Sequence, residues 1–383
     1  MHFVKADKIF NGKEYLPEDS VLVLNQQHDF VEIIQKNTID SGKIQSYEGI
    51  ICPGFVNAHC HTELSHLKNK ISEKTGLIEF GKQVIIKRNN CSKEEIAEHI
   101  LEADKEMWRN GIVAVGDICN TAESFKMKEK SSVFYHSFIE LLGFNPSKAN
   151  ESFYAGINLL EKLLSTGLSG SLAPHAPYST SKELIKKISD FNFQNAKPSS
   201  IHNQESDEER KFFMGEKSAY HDLFEFLKID TAWFNAPKIN SLQYYQDALG
   251  KQQTLMVHNT FSTKKDIDLV SDKNIFWCFC SNANLYIENK LPDYTLFGEL
   301  KNKISLGTDS LASNHSLSLI SEANILLANS NFKFEEILTA LTFNGALSLN
   351  LQYNFGTFIP NKNSGLNLIA YTKNQIHLIK KLA

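Results

Sequence analysis

The sequence has little of what marks several other classes of protein. Six cysteines in 383 residues are too few for a disulfide framework, and no two form the C-x-x-C pair of a zinc ribbon. The formal net charge is -4, so there is no positive excess of the kind that binds nucleic acids or membrane surfaces. No run reaches the ~18 apolar residues of a membrane-spanning helix. These absences predict an ordinary globular protein from a reducing compartment.

The amino-terminal stretch "MHFVKADKIFNG" contains no basic segment followed by a long apolar run. The location expected from the sequence is therefore the cytoplasm. We expect a small-molecule substrate, with neither nucleic acid nor a membrane as partner, and a homodimer is left open.

The two ends of the chain share one pattern. Residues 1–52 contain short strand-like segments separated by turn signals, including Asn-Gly at 11–12 and "DSGK" at 40–43. The tail, including "GTFIPNKNSGLNLIAYTKNQIHLIKKLA", has the same character. We therefore predict a small β domain built from residues 1–52 and 350–383, and a second domain of residues 53–349.

Short apolar runs alternate with longer helical patterns between the two ends, and a final helical pattern covers residues 334–351. This alternation is typical of βα units around a parallel sheet. The eight runs are "GIICPGFVNA", "GIVAVGDI", "SVFYHSFIELLG", "GLSGSLAPH", "PSSIHNQE", "QTLMVHNT", "NIFWCFCSN" and "KISLGTDS". The predicted fold class is α/β: a (β/α)8 barrel of the TIM type, with a small β-sandwich domain formed from both termini.

Polar side chains that bind metals or move protons follow several of these runs. His59 and His61 are one residue apart, so on a strand both imidazoles face one side and Cys60 faces the other. An isolated H-x-H pair is a weak signal. Later runs end at His175, His202, His258 and Asp309. Because active sites of such barrels lie at the carboxyl ends of the strands, these side chains are expected to meet at one mouth.

Three of these segments resemble motifs of the amidohydrolase superfamily, within its deaminase branch. "PGFVNAHCHTELS" is similar to the first-strand motif of that branch, "HNQES" to its H-x-x-E motif and "SLGTDSLASN" to its last-strand motif. The branch includes deaminases of aminofutalosine, methylthioadenosine, S-adenosylhomocysteine, cytosine and guanine. The resemblance covers nearly the whole chain.

The resemblance implies one divalent metal ion, zinc or alternatively iron. It assigns the ion to His59, His61, His202 and Asp309, and places His258 against the water on that ion. Imidazole and carboxylate ligands suit both metals. The fourth run, "GLSGSLAPHAPYS", contains no lysine, which argues against the lysine-bridged metal pair of other superfamily members.

Glu205 is the predicted proton carrier because it follows His202 by three residues. A carboxylate beside the attacking water can take its proton and pass it to a departing amine. The competing interpretation, a solvated acidic helix start in "ESDEER", is kept for Asp207, Glu208 and Glu209. The predicted catalytic residues are therefore Glu205, His258 and Asp309.

The resemblance also suggests substrate contacts, at His175, Glu63, Ser65 and Asn282. For His175 the alternative is a hydrogen-bonded supporting histidine, and for Glu63 it is a polar residue at the barrel lip. The stretch 222–253 is long for a βα connection, and its mixture of aromatic residues and helix breakers predicts that part of it is a lid.

The function predicted from these features is a metal-dependent hydrolytic deaminase that releases ammonia from an adenine-type nucleoside or a related N-heterocycle. One alternative keeps the same fold and site but cleaves a C-Cl, formimino or cyclic amide bond. Another is a barrel that has lost catalysis and acts as a binding protein.

Overall fold

The computed structural model describes residues 1–362 and 364–383. The strands in this part of the chain are β1 (His2–Ile9), β2 (Ser20–Leu24), β3 (Phe30–Gln35), β4 (Ile44–Pro53), β5 (Phe55–Cys60), β6 (Ile112–Cys119), β7 (Phe134–Leu141), β8 (Ser169–Pro174), β9 (Ser199–Asn203), β10 (Thr254–His258), β11 (Ile275–Phe279), β12 (Ile304–Leu306), β13 (Leu366–Thr372) and β14 (Gln375–Lys381). The α-helices are α1 (Leu77–Lys87), α2 (Lys93–Arg109), α3 (Phe125–Lys128), α4 (Ala149–Leu164), α5 (Lys182–Gln194), α6 (Asp207–Met214), α7 (Tyr220–Phe226), α8 (Ser241–Tyr245), α9 (Lys264–Leu269), α10 (Ser281–Ile287), α11 (Leu319–Asn329), α12 (Phe334–Leu341) and α13 (Phe343–Ser348).

Strands from both ends of the chain form one six-stranded sheet, in the order β14-β13-β4-β1-β2-β3. The chain leaves this sheet at Gly54, which separates β4 from β5 and so divides the first apolar run between two sheets. A Cβ atom at Gly54 would lie 2.4 Å from Cγ1 of Val113, so only glycine fits there. The division into residues 1–52 with 350–383 and residues 53–349 stays a prediction.

The eight predicted inner strands are present as two parallel four-stranded sheets, β5-β6-β7-β8 and β9-β10-β11-β12. Main-chain hydrogen bonds join them at both edges. His202 N donates to His175 O at 2.9 Å, and Asp309 N donates to His59 O at 3.1 Å. The result is a barrel of eight parallel strands, which confirms the predicted α/β fold class with an added sheet from the termini.

The final helical pattern is two helices, α12 and α13, and the prediction of one helix over 334–351 is wrong. Thr342 lies between them with φ -122° and ψ -90°, outside the helical region. Gly345 then brings α13 against β5, where a Cβ atom would lie 2.8 Å from the carbonyl oxygen of Val56. Among the described residues, no helix is both long and apolar enough to cross a membrane.

Candidate active site

Four side chains predicted as metal ligands converge at the carboxyl ends of the barrel strands. His61 Nε2 lies 3.1 Å from His59 Nε2 and 3.3 Å from His202 Nε2. Asp309 Oδ1 lies 3.4 Å from His61 Nε2 and 3.6 Å from His59 Nε2. His258 joins the same group, with its ligand atom within 4.8 Å of those of His59 and Asp309. His59 and His61 therefore point to the same site, as the period of two along a strand predicted, whereas Cys60 is buried in the apolar core.

Two residues of the cluster have unusual backbone conformations. His258 has φ 72° and Asp309 has φ 54°, in the left-handed region that side chains other than glycine rarely adopt. Asp309 is held there by the hydrogen bond from its main-chain N–H to His59 O. Such strain is typical of residues whose side chains must be aimed at a shared point.

Hydrogen bonds fix which nitrogen of two histidines carries the proton. His202 Nδ1 lies 2.8 Å from the carbonyl oxygen of His175, and His258 Nδ1 lies 2.8 Å from Oδ1 of Asn284. Both oxygens can only accept, so both Nδ1 atoms donate and both Nε2 atoms keep a free lone pair. That is the tautomer in which Nε2 of a metal-ligating histidine faces its ion.

The cluster fits a divalent cation by spacing and by charge. Ligand atoms on a tetrahedral ion with bonds of 2.0–2.1 Å lie about 3.3 Å apart, and the separations within the cluster are 3.1 to 3.6 Å. Imidazole lone pairs this close repel one another unless a cation lies between them. Burial lowers the pKa of His59 to about 4, so this ring is neutral at pH 7, as a ligand must be.

The two acidic groups of the site have pKa values shifted in opposite directions. Burial raises the pKa of Glu205 well above its usual value, and the nearby charge of Asp309 raises it further. Burial acts in the same direction on Asp309, but the interactions with His59 and the other neighbouring histidines outweigh it and hold that pKa well below its usual value. Asp309 Oδ2 also accepts a hydrogen bond from Ser313 Oγ. The surroundings thus push the pKa values of the two carboxyl groups apart, as in sites that perform acid–base chemistry.

A cavity of about 630 Å³ opens directly over this cluster. Its polar floor includes Glu205, His258 and Asp309, and Glu205 Oε1 lies 3.6 Å from His258 Nε2. The wall is mostly apolar and includes Leu64, Leu77, Ile78, Phe80, Val84, Phe144, Tyr178, Tyr220, Leu223, Phe224, Leu227 and Ile229. Such a cavity suits a flat heterocycle with an apolar substituent.

Residues of α7 and of the turn that follows it, between β9 and β10, supply one side of this wall. Phe144 stacks on Phe224 with a ring-centre distance of 5.2 Å and contacts Trp233 at 4.8 Å. Leu223, Phe224, Leu227 and Ile229 line the cavity, so the start of the predicted lid stretch is a packed part of its wall.

The four predicted substrate contacts have different surroundings. His175 lines the cavity, with Nδ1 2.5 Å from Ser179 Oγ. The structure does not bring the other three to the cavity wall. Glu63 Oε2 accepts main-chain N–H groups of residues 120 and 121, each at 3.1 Å, and Ser65 Oγ donates to Thr62 O at 2.7 Å. Asn282 Nδ2 donates to Glu322 Oε1 at 2.8 Å.

Two acidic residues near the site were not singled out from the sequence. Glu140, in β7, lines the cavity. Asp117, in β6, forms a fully buried ion pair with Lys128 at 2.6 Å and accepts the main-chain N–H of Thr62 at 2.8 Å, which fixes the turn after His61. Both lie towards the carboxyl end of a predicted barrel strand, so the signal that revealed His175 and His202 was also present for them.

An eight-stranded barrel with three imidazoles and a carboxylate at its mouth belongs to the class of barrel hydrolases with a metal centre. A sequence model of the Amidohydrolase family matches residues 50–382, and the chain belongs to that family.

Curated relatives and solved structures agree with this assignment. The chain is 26% identical over 339 residues to the adenosine deaminase of Helicobacter pylori, covering 86% of this chain and 81% of the relative. It is 26% identical over 364 residues to the 5'-deoxyadenosine deaminase of Methanococcus vannielii, covering 90% and 80%. The crystal structure of Helicobacter pylori aminofutalosine deaminase with methylthio-coformycin superposes with a TM-score of 0.82 and 25% identity, covering 97% of this chain and 93% of that one.

Proposed function

We propose that the protein is a metal-dependent deaminase that hydrolyses the exocyclic amine of an adenine-type nucleoside and releases ammonia. The observation that carries the proposal is the position of Glu205 and His258 beside the His59, His61, His202 and Asp309 cluster, on the floor of an apolar cavity. The names of the relatives, adenosine deaminase and 5'-deoxyadenosine deaminase, favour adenine nucleosides over other N-heterocycles. The candidate substrates include aminofutalosine, methylthioadenosine and S-adenosylhomocysteine.

His59, His61, His202 and Asp309 would hold the divalent ion, with zinc favoured by the imidazole-rich set and iron as the alternative. When bound there, the ion supplies the Lewis acidity that lowers the pKa of the attacking water. His258 would orient that water through Nε2, since its Nδ1 proton is committed to Asn284. Asp309 would accept the proton that the water loses.

Glu205 would carry the proton that the leaving group needs. Its buried carboxyl group holds a proton more tightly than usual, whereas the charge of a divalent ion nearby acts in the opposite direction. These two opposing effects suit a group that both gives and takes a proton during the reaction. In the reaction, water adds to the carbon that bears the amine, Glu205 protonates the amine nitrogen, and the carbon–nitrogen bond breaks to release ammonia.

The apolar wall of the cavity would exclude bulk water and accept the heterocycle with its substituent. Of the predicted substrate contacts, His175 is the one in position to touch the substrate. For Glu63, Ser65 and Asn282 we propose instead a supporting role, since their side chains hold the turns around the barrel mouth.

The test is ammonia release by the zinc-loaded or iron-loaded protein across a panel of adenosine, 5'-deoxyadenosine, methylthioadenosine, S-adenosylhomocysteine and aminofutalosine. We expect turnover of at least one, with the matching hypoxanthine nucleoside as product. The panel also contains a chlorotriazine, a formimino compound and a cyclic amide. Turnover of one of these with no amine released from any nucleoside would replace the proposal with the alternative hydrolase, and an inert metal-loaded protein would favour a binding role.

A further inference from the structure

Glu140 is an acidic residue of the cavity whose two carboxylate oxygens have different surroundings. Its side chain is about 5% exposed and lies among the residues that line the cavity. Oε2 accepts a hydrogen bond from Asn120 Nδ2 at 2.9 Å. Oε1 is buried and has no hydrogen-bond partner among residues 1–362 and 364–383. A buried carboxylate oxygen without a partner is costly, so a bound group that donates a hydrogen bond would stabilise this arrangement.

The proton of one neighbouring histidine is already used in another hydrogen bond. His202 Nδ1 lies 3.7 Å from Glu140 Oε1, but its proton goes to the carbonyl oxygen of His175. Oε1 is therefore available to a donor bound in the cavity.

A second metal ion is a poor match for this position. Glu140, His175 and His202 have ligand atoms within 4.8 Å of one another. However, His202 would have to give up either its Nδ1 proton or its place in the first cluster to bind another ion. An ammonium group is also disfavoured, because Arg88 and Lys148 line the same cavity. A neutral hydroxyl group remains the best-matched donor.

We propose that Glu140 is a specificity-determining residue that accepts a hydrogen bond through Oε1 from the vicinal diol of the substrate's sugar, with His175 as the neighbouring contact. This inference rests on the proposed nucleoside deaminase function. The position fits because Glu140 Oε1 lies 3.7 Å from Nδ1 of His202, a histidine whose Nε2 atom belongs to the cluster of proposed metal ligands. Glu140 is thus close to the reacting end of the cavity without touching the reacting atoms.

The first test compares kcat/KM for adenosine, 2'-deoxyadenosine and 3'-deoxyadenosine in the wild type and in Glu140→Gln. A hydrogen bond to a charged group corresponds to about 10-fold to 100-fold discrimination, so the wild type should disfavour at least one deoxy analogue by that factor. In Glu140→Gln the ratio should fall to about 3-fold or less. Glu161→Gln, an exposed acid-to-amide change in α4, is the matched control and should keep the wild-type ratio.

The second test measures binding of inosine, 2'-deoxyinosine and 3'-deoxyinosine by calorimetry and needs no turnover. In Glu140→Gln the difference in affinity between inosine and its deoxy analogues should likewise fall to about 3-fold or less. If the wild type deaminates adenosine but treats all three sugars alike, Glu140 has no such role and the deaminase assignment stands. If no nucleoside is deaminated or bound, both proposals fail. A metal content of two ions per chain that falls to one in Glu140→Gln would make Glu140 a ligand and overturn the diol site.

Discussion

Asn284 Oδ1 accepts the Nδ1 proton of His258 at 2.8 Å, and this hydrogen bond fixes the tautomer of a histidine at the centre of the site. The other amide atom, Asn284 Nδ2, is buried with no partner among the described residues. Among the described residues, the hydrogen bond of the Asn284 side chain therefore goes to His258. This makes Asn284 a clean position at which to test the orientation of the imidazole.

Asn284→Ala should lower kcat by about 10-fold to 100-fold, the usual effect of removing a group that orients an active-site imidazole. Asn284→Asp keeps an acceptor at the same place and should retain more activity than the alanine variant. Steady-state kinetics with the best substrate of the panel, together with metal content, would check this. Equal losses in the two variants would mean that the effect is one of packing and not of the tautomer.

Glu205→Gln should keep the bound metal and lose turnover by about 10²-fold to 10⁴-fold, because the amide keeps the shape of the side chain but cannot carry a proton. The measurement is kcat with metal content by elemental analysis on the same sample. Glu161→Gln, at an exposed position of α4 that does not line the cavity, controls for a general acid-to-amide effect. Near-normal turnover in Glu205→Gln would contradict the role of Glu205 as proton carrier.

The strand-end residues were predictable because a short-range rule places them. A period of two sets the faces of His59 and His61, and parallel strands of a barrel end at the same mouth, so the sequence positions alone bring His202, His258 and Asp309 to the cluster. The direction of a side chain in a loop follows no such rule. Glu63 lies in the 3-10 turn Thr62–Leu67, whose geometry sends its carboxylate to main-chain N–H groups after β6.

Long-range partners explain the remaining differences. Asn282 is engaged by Glu322 in α11, 40 residues away in the sequence, and no local pattern indicates that pairing. The break between α12 and α13 has a similar origin: Thr342 is not a helix breaker, but the close contact of Gly345 with Val56 requires a change of direction there. Tertiary packing therefore divides the predicted single helix into α12 and α13.

Removal of the metal should lower both activity and stability. A ligand bound only by the folded state, present at about 100 times its dissociation constant, adds about 2.7 kcal/mol to the free energy of unfolding, so for a chain of 383 residues a chelator should lower Tm by about 3–4 °C. Adding zinc or iron should restore both properties. His61→Ala should be inactive and show little response of Tm to chelator, whereas an equal chelator effect in this variant would place the ion elsewhere.

Lys381 offers a test of stability against pH that is independent of the active site. Its Nζ is buried without a hydrogen-bond partner among the described residues and lies over the ring of Trp108, and burial lowers its pKa to about 7. The pKa of an unfolded lysine is about 10.4, so the unfolded state binds the proton more tightly. Burial of this charge therefore lowers the free energy of unfolding by its full amount below about pH 7. The effect disappears as the pH rises towards 10.4.

Lys381→Met keeps the length of the side chain and removes its charge. It should therefore raise Tm by about 2–4 °C at pH 6.5, and the gain should shrink to nearly nothing at pH 10. Lys380→Met, at the exposed neighbouring position in β14, should change Tm little at either pH. Scanning calorimetry of the three proteins at both pH values would check this. A gain of the same size at pH 10 would mean that methionine packs better on Trp108 and that the buried charge is not the cause.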